Sequence, residues 1–263
     1  MSDVADWWQT SIIDMEPGHI SIRGEQIQDL IGNLSFAEMV WLMICGTKPD
    51  PGQARLLEAA LVASVDHGPQ APSIAAARMA VTCGLGLNGA MGTAVHMLDD
   101  VHGGAGEQLV EWLYQLGDAG TEADIGEEIN AYQANVNSFI PGFGHRFHKP
   151  VDPRAPRLMV LVAEARDNGV VSGRFMDLAM AIERHLAERK GGPVPMNIDG
   201  ATAVIFAELG LAPPLARGLF CLSRAVGAMA HCYEKTQQVG RNKRANTASL
   251  PLALFGQGLG FYR

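Results

Sequence analysis

The sequence predicts an all-α fold, and three observations carry that expectation. Apolar residues recur at three- and four-residue spacing along most of the chain, only one short stretch alternates as a strand does, and the glycines gather between periodic segments rather than inside them. The first strongly periodic segment, Phe36, Met39, Val40, Met43 and Ile44, presents one apolar helical face. Ser35 supplies its N-cap with Glu38 three residues on, and Gly46 with Pro49 supplies the stop. The same logic places helices near 53–66, 72–87, 88–99, 104–117, 124–137, 153–167, 173–189, 200–210 and 213–236. The alternating stretch, Gly18-His19-Ile20-Ser21-Ile22-Arg23, reads as one short hairpin, too small to found a sheet-based core. Glycines at 84–92, 102–106, 142–144 and 191–192 mark junctions built for close approach or unusual backbone angles. The densest polar linkers, 118–126 and 189–193, read as surface connections or as hinges of a second lobe.

Composition narrows the function. The 263 residues are 48% hydrophobic and 18% charged, enough for one large or two modest cores. A net charge of −8 excludes a general nucleic-acid or acidic-membrane binder, which needs basic surface to release counterions, while leaving room for a small anion in a local basic pocket. Cys45, Cys83, Cys221 and Cys232 show neither CxxC spacing nor a histidine pairing, so no metal site and no disulfide framework is expected. The opening Met1-Ser2-Asp3-Val4-Ala5-Asp6 is acidic rather than leader-like, and no apolar run reaches the roughly 18 residues needed to span a bilayer. A cytoplasmic protein without membrane or nucleic-acid partners is therefore expected.

Four polar islands interrupt the apolar helical background: Asp66-His67-Gly68, Val101-His102-Gly103-Gly104, Gly142-Phe143-Gly144-His145-Arg146 and Pro195-Met196-Asn197-Ile198-Asp199-Gly200. Each sets a titratable group beside glycine at an expected helix end, and together they look like one assembled site. Glycine lets a ligand approach the backbone closely, and amides at helix starts favour carboxylates or phosphates, so a polyanionic substrate fits. Arg154 and Arg224 add fork-shaped cations suited to clamping carboxylates, with a salt bridge to one of the chain's acids as the competing role.

These residues also carry a family resemblance. The run Gly-Phe-Gly-His-Arg-Phe-His-Lys-Pro-Val-Asp-Pro-Arg-Ala at 142–155 resembles the Gly-x-Gly-His…Asp-Pro-Arg signature of citrate synthases. His102-Gly103-Gly104-Ala105 resembles their His-Gly-Gly motif, and Asn197-Ile198-Asp199 their Asn-Val-Asp, in the same order and at similar spacing. The segment Ser21 to Leu30, followed by Ser35-Phe36 and Gly46-Thr47-Lys48-Pro49, is similar to the family's N-terminal region, so the likeness covers nearly the whole chain. Two departures stand out. A helical block of about a hundred residues that full-length synthases carry before Asp66-His67 has no room in a domain of this size, so the large domain is expected to be trimmed. Gly200-Ala201-Thr202 replaces the synthases' usual aromatic pair and looks like the citryl-CoA lyase module of ATP-citrate lyase, from which the chain differs in keeping His102.

The resemblance implies a two-lobed helical fold, with 1–102 and 199–263 as a large dimerising domain and 103–198 as a small coenzyme A-binding domain that closes over the substrates. It implies that His102 hydrogen-bonds the acetyl-CoA thioester carbonyl, that Asp199 removes a methyl proton and that His145 polarises the ketone of oxaloacetate. His67, Arg154 and Arg224 match substrate-carboxylate ligands, and a further arginine, Arg241, Arg244 or Arg263, is expected from a neighbouring subunit. Pro141, Gly142, Phe143 and Gly144 match the loop beside the coenzyme A adenine, with Lys149 toward a phosphate; the thioester is a substrate, and no permanent cofactor or metal is implied. The function expected is cleavage or formation of the carbon–carbon bond between acetyl-CoA and oxaloacetate, with citryl-CoA cleavage favoured. A short-form citrate or 2-methylcitrate synthase is the alternative, and a non-catalytic coenzyme A or citrate-binding subunit the more distant one. The segment 73–98, rich in Ala, Gly and Met, predicts a homodimer or higher even oligomer, or else an internal helix pair.

Overall fold

The computed structural model describes residues 4–119 and 125–238, and over them the chain is helical apart from one small sheet. After α1 (Val4–Trp7) come β1 (Ile13–Glu16), β2 (His19–Ile22) and β3 (Glu25–Gln26), then α2 (Ile27–Leu30) and α3 (Phe36–Cys45). The sheet is an antiparallel meander in the order β1-β2-β3, with Ile13 opposite Ile22 and Ser21 opposite Gln26. It holds one strand pair more than the single hairpin expected, because Arg23 at φ 52 and Gly24 at φ 85 make a second tight turn directly after β2. The Arg23 side chain then donates from Nε and Nη2 to the Met43 carbonyl at 3.2 and 2.7 Å, tying the meander to the end of α3.

The helix ends follow the expected chemistry. Ser35 caps α3 by accepting from the Glu38 N–H while Glu38 reaches back to the Ser35 N–H at 2.7 Å, and that hydrogen bonding lowers the Glu38 pKa. Gly46 closes the helix at φ 80. α4 (Pro51–Ser64) begins two residues before its expected start, because Asp50 accepts from the Gly52 and Gln53 amides and Pro51 occupies the first helical position. α5 (Pro72–Thr82) stops five residues early at Gly84, whose φ of 98 no helix accommodates, and α6 (Leu87–His96) restarts beyond it. α7 (Ala105–Ala119), α8 (Ile125–Asn135), α9 (Arg154–Asp167), α10 (Arg174–Lys190), α11 (Ile198–Glu208) and α12 (Pro213–Gln237) complete the order.

Two compact units emerge. One runs to Val65 and resumes over Gly103–Ser223; the other comprises Asp66–His102 and the chain from Arg224. In the first, α11 is buried nearly all round, from Ile198 through Ala207, and packs against α4, α7, α9 and α10. A helix apolar on every face must be enclosed, so α11 belongs to the same unit as 103–198 rather than standing apart from it. Leu57, Leu109, Leu113, Val162, Ile182 and Ile205 are among the fully buried side chains of this core. In the second unit α5 packs on α6 around Ile74, Ala77, Ala90, Ala94, Ala228 and Cys232. None of the four cysteines is in a disulfide. Among the described residues no helix is long and apolar enough to cross a membrane, and no group of His, Cys, Asp or Glu could hold a metal ion.

Candidate active site

In the first unit the 142–144 loop meets the start of α11. Asn197 is the N-cap: its Oδ1 accepts from the Asp199 and Gly200 amides at 2.9 and 3.2 Å, while its Nδ2 donates to the Gly144 carbonyl at 2.8 Å. Backbone pairing runs alongside, Gly144 N–H to Pro195 C=O at 2.7 Å and Asn197 N–H to Gly142 C=O at 2.9 Å. Two glycines make this approach possible. A Cβ on Gly200 would sit 2.3 Å from the Gly142 oxygen, and one on Gly142, whose φ is +83, would sit 2.7 Å from the Gly200 Cα. Asp199 therefore stands, half-buried, in the first turn of a fixed helix, beside the loop that carries His145.

His145 is oriented by the backbone that follows it. Its Nδ1 accepts from the Phe147 and His148 amides at 3.0 and 2.9 Å, so the neutral ring carries its proton on Nε2. Burial, and after it the neighbouring His148, lower its pKa and hold it neutral. Arg154 is answered by Asp152, which is fully buried and accepts from the Arg154 Nε and Nη2 at 3.0 and 2.8 Å and from its backbone N–H at 3.1 Å. Burial alone pushes the Asp152 carboxyl up, but the hydrogen bonds and charge of Arg154 outweigh it and bring the pKa below the usual range. The competing role foreseen for Arg154 thus exists, and it orients the guanidinium without exhausting its five N–H donors. Pro141 and Gly142 are buried, Phe143 packs on the core with a backbone bridge to Met196, and Lys149 is exposed.

In the second unit His102 lies on a short backbone pairing with Asp99, N–H to C=O at 3.1 and 2.9 Å in the two directions. Its Nε2 accepts from the Ser73 N–H at 3.2 Å and lies 3.0 Å from the Ser73 Oγ. Ser73 is in the first turn of α5, so His102 takes up one of the amides that a helix start leaves without an intrahelical partner, and its own proton stays on Nδ1. Burial, then the charge of Arg224, lower the His102 pKa. Arg224 itself is 3% exposed, on α12. His67 is exposed in a turn whose preceding residue, Asp66, accepts from Gly68 N–H and holds His231 at 3.1 Å. Burial pushes Asp66 up, but these hydrogen bonds bring its pKa down.

The expected residues thus fall into two sets. Pro141 to His145, Lys149, Arg154 and Asp199 belong to the first unit, and His67, His102 and Arg224 to the second. Arg241, Arg244 and Arg263 lie outside the described residues. Sequence reasoning missed Ser73 and the supporting role of Asp152. The second was legible as a carboxylate two residues before an arginine; the first, 29 residues from its histidine, carried no local signal.

Comparison with known proteins identifies the family. Residues 34–245 match the family model described as citrate synthase, C-terminal domain. A citrate synthase of Acidithiobacillus ferridurans is 28% identical over 208 residues, which cover 77% of this chain and 52% of that protein. The chain spans about half the length of the curated relatives it matches. Among solved structures, citryl-CoA lyase from Hydrogenobacter thermophilus is 31% identical with a TM-score of 0.82, covering 94% of this chain and 99% of that one. Citrate synthase from Thermotoga maritima is 25% identical with a TM-score of 0.67, covering 84% and 59%.

Proposed function

This chain belongs to the citrate synthase family, and from that premise we propose that it is a citryl-CoA lyase, cleaving citryl-CoA to acetyl-CoA and oxaloacetate. The observation that carries the choice within the family is the likeness to the Hydrogenobacter lyase, which extends over 99% of that protein, where the Thermotoga synthase is covered over only 59%. Three groups do the chemistry, most simply described in the condensing direction. Asp199 takes a proton from the acetyl methyl group. The His102 Nδ1–H donates to the thioester oxygen as enolate charge develops on it, and the His145 Nε2–H donates to the ketone oxygen as the new bond forms. Cleavage runs the same steps backward: the carbinol hydroxyl gives its proton back to the His145 Nε2 as the ketone forms, the bond between the carbinol carbon and the methylene breaks, its electron pair passes to the thioester enolate, and Asp199 returns its proton to the methylene carbon.

Arg154, held by Asp152, together with Arg224 and His67, takes the carboxylates of the oxo acid, and the exposed Lys149 with the 141–144 loop takes coenzyme A. Neither needs a resident cofactor. The second unit leaves Met79 64%, Leu85 44% and Met97 44% exposed, and these support a homodimer formed through α5 and α6. Sedimentation at micromolar concentration should give twice 28.1 kDa, and an active monomer would overturn that part.

The curated citrate synthase relatives favour one second reading, a short-form citrate synthase. Coupled assays separate the two. A lyase turns citryl-CoA into acetyl-CoA and oxaloacetate with the thioester intact, whereas release of free coenzyme A during citrate formation from acetyl-CoA and oxaloacetate identifies a synthase. Absence of both reactions would overturn the enzymatic reading.

A further inference from the structure

The segment Pro195 to Asn197 runs extended, and successive residues of such a segment aim their backbone groups to opposite sides. On one side Pro195 and Asn197 pair with the 142–144 loop. The Met196 N–H faces the other way, where a third strand would ordinarily meet it. The group that meets it is a side chain, Glu183 of α10, whose Oε1 accepts at 2.8 Å. Met196 is 3% exposed, and with Glu183, Met159, Met176 and Met180 it lines an apolar cleft of about 540 Å³ beside α9 and α10. The strap is thus fastened on both edges, by the loop that leads to His145 and by a carboxylate on a long helix.

We propose that Glu183 is a positioning residue: by holding the Met196 N–H it fixes the strap that sets the His145 loop against the Asp199 helix start. It touches no substrate and acts through the backbone. The consequence for rate rests on the catalytic roles proposed above; the consequence for the strap does not. Displacing a catalytic group by about 1 Å can cost on the order of 100-fold in rate, so loosening this bond should reach the chemistry without touching it.

Glu183→Leu keeps the bulk and suits the apolar cleft but removes the acceptor, Glu183→Met does the same without branching, and Glu183→Gln keeps an acceptor oxygen. The expected result is faster hydrogen exchange at the Met196 and Gly144 amides in the Leu and Met variants, with kcat lowered roughly 10- to 100-fold and KM within about twofold. Glu183→Gln should restore both readouts toward the parent. Parent-like kcat in a folded Leu or Met variant, or a Gln variant as impaired as they are, overturns the proposal. If the parent turns over neither citryl-CoA nor acetyl-CoA with oxaloacetate, the functional reading is what has failed; exchange at Met196 then decides the positioning role alone, and protection unchanged in the Leu and Met variants refutes it.

Discussion

The two histidines proposed for the chemistry are fixed by the same device used in opposite senses. In each, backbone N–H groups occupy one ring nitrogen, and burial keeps the ring neutral so that the other nitrogen carries the proton. At His145 the occupied atom is Nδ1, served by amides two and three residues downstream in its own loop. At His102 it is Nε2, served by a helix-start amide 29 residues upstream. A loop that folds back on its own histidine can reach only the near nitrogen, whereas a separate helix can meet the far one. The difference teaches that the tautomer of each ring follows from whether its partner is local or distant.

The largest effect should come from the group that neither histidine replaces. Asp199→Asn keeps the Asn197 cap but cannot take a proton, so turnover should fall by about 100-fold or more with the fold intact; turnover within tenfold of the parent would remove Asp199 from the mechanism. The opposite tautomers can be tested next by amide substitutions. His102→Asn places an amide N–H near the former Nδ1–H, and His145→Gln places one near the former Nε2–H. Removing either donor outright should cost about 100-fold or more, and these matched amides should each recover about tenfold relative to His102→Gln and His145→Asn. If the two histidines prefer the same amide, the contrast between them is wrong.

A third substitution breaks only one side of the comparison. Gly200→Ala drives a Cβ onto the Gly142 oxygen and should destabilise the protein by roughly 1–3 kcal/mol, read as a shift in denaturant midpoint, while parting Asp199 from the His145 loop. The Ser73–His102 pairing should be untouched, so an unchanged His102 NMR titration accompanies the loss. The smallest effect is that of pH. Both histidines have pKa values below the ordinary histidine range, so the unfolded chain takes up these protons first. Their stabilising contribution is present above the ordinary value and is lost as pH falls from there toward the depressed ones. Activity should fall over that lower interval as well, since a charged ring sets an N–H against a backbone N–H. A thermal-stability profile flat across this interval, or an acid limb of kcat/KM centred at or above the ordinary histidine range, would contradict it.

By itself the sequence determined the helical class, most helix spans and the polar islands at their ends. These rest on interactions within one or two turns: apolar spacing along α3 or α9, the Ser35–Glu38 box and the stop at Gly46 are written within a few residues of where they act. It also placed Asn197-Ile198-Asp199 at a helix start, because an N-cap signal is local. The tertiary structure alone decided what those residues face. The burial of α11 on every side, the contact of Gly142 with Gly200, the answer of Ser73 to His102 and of Glu183 to Met196 each join residues more than ten positions apart. Such pairings depend on how helices pack, and that is set by the summed fit of many apolar side chains rather than by any signal beside the residue itself.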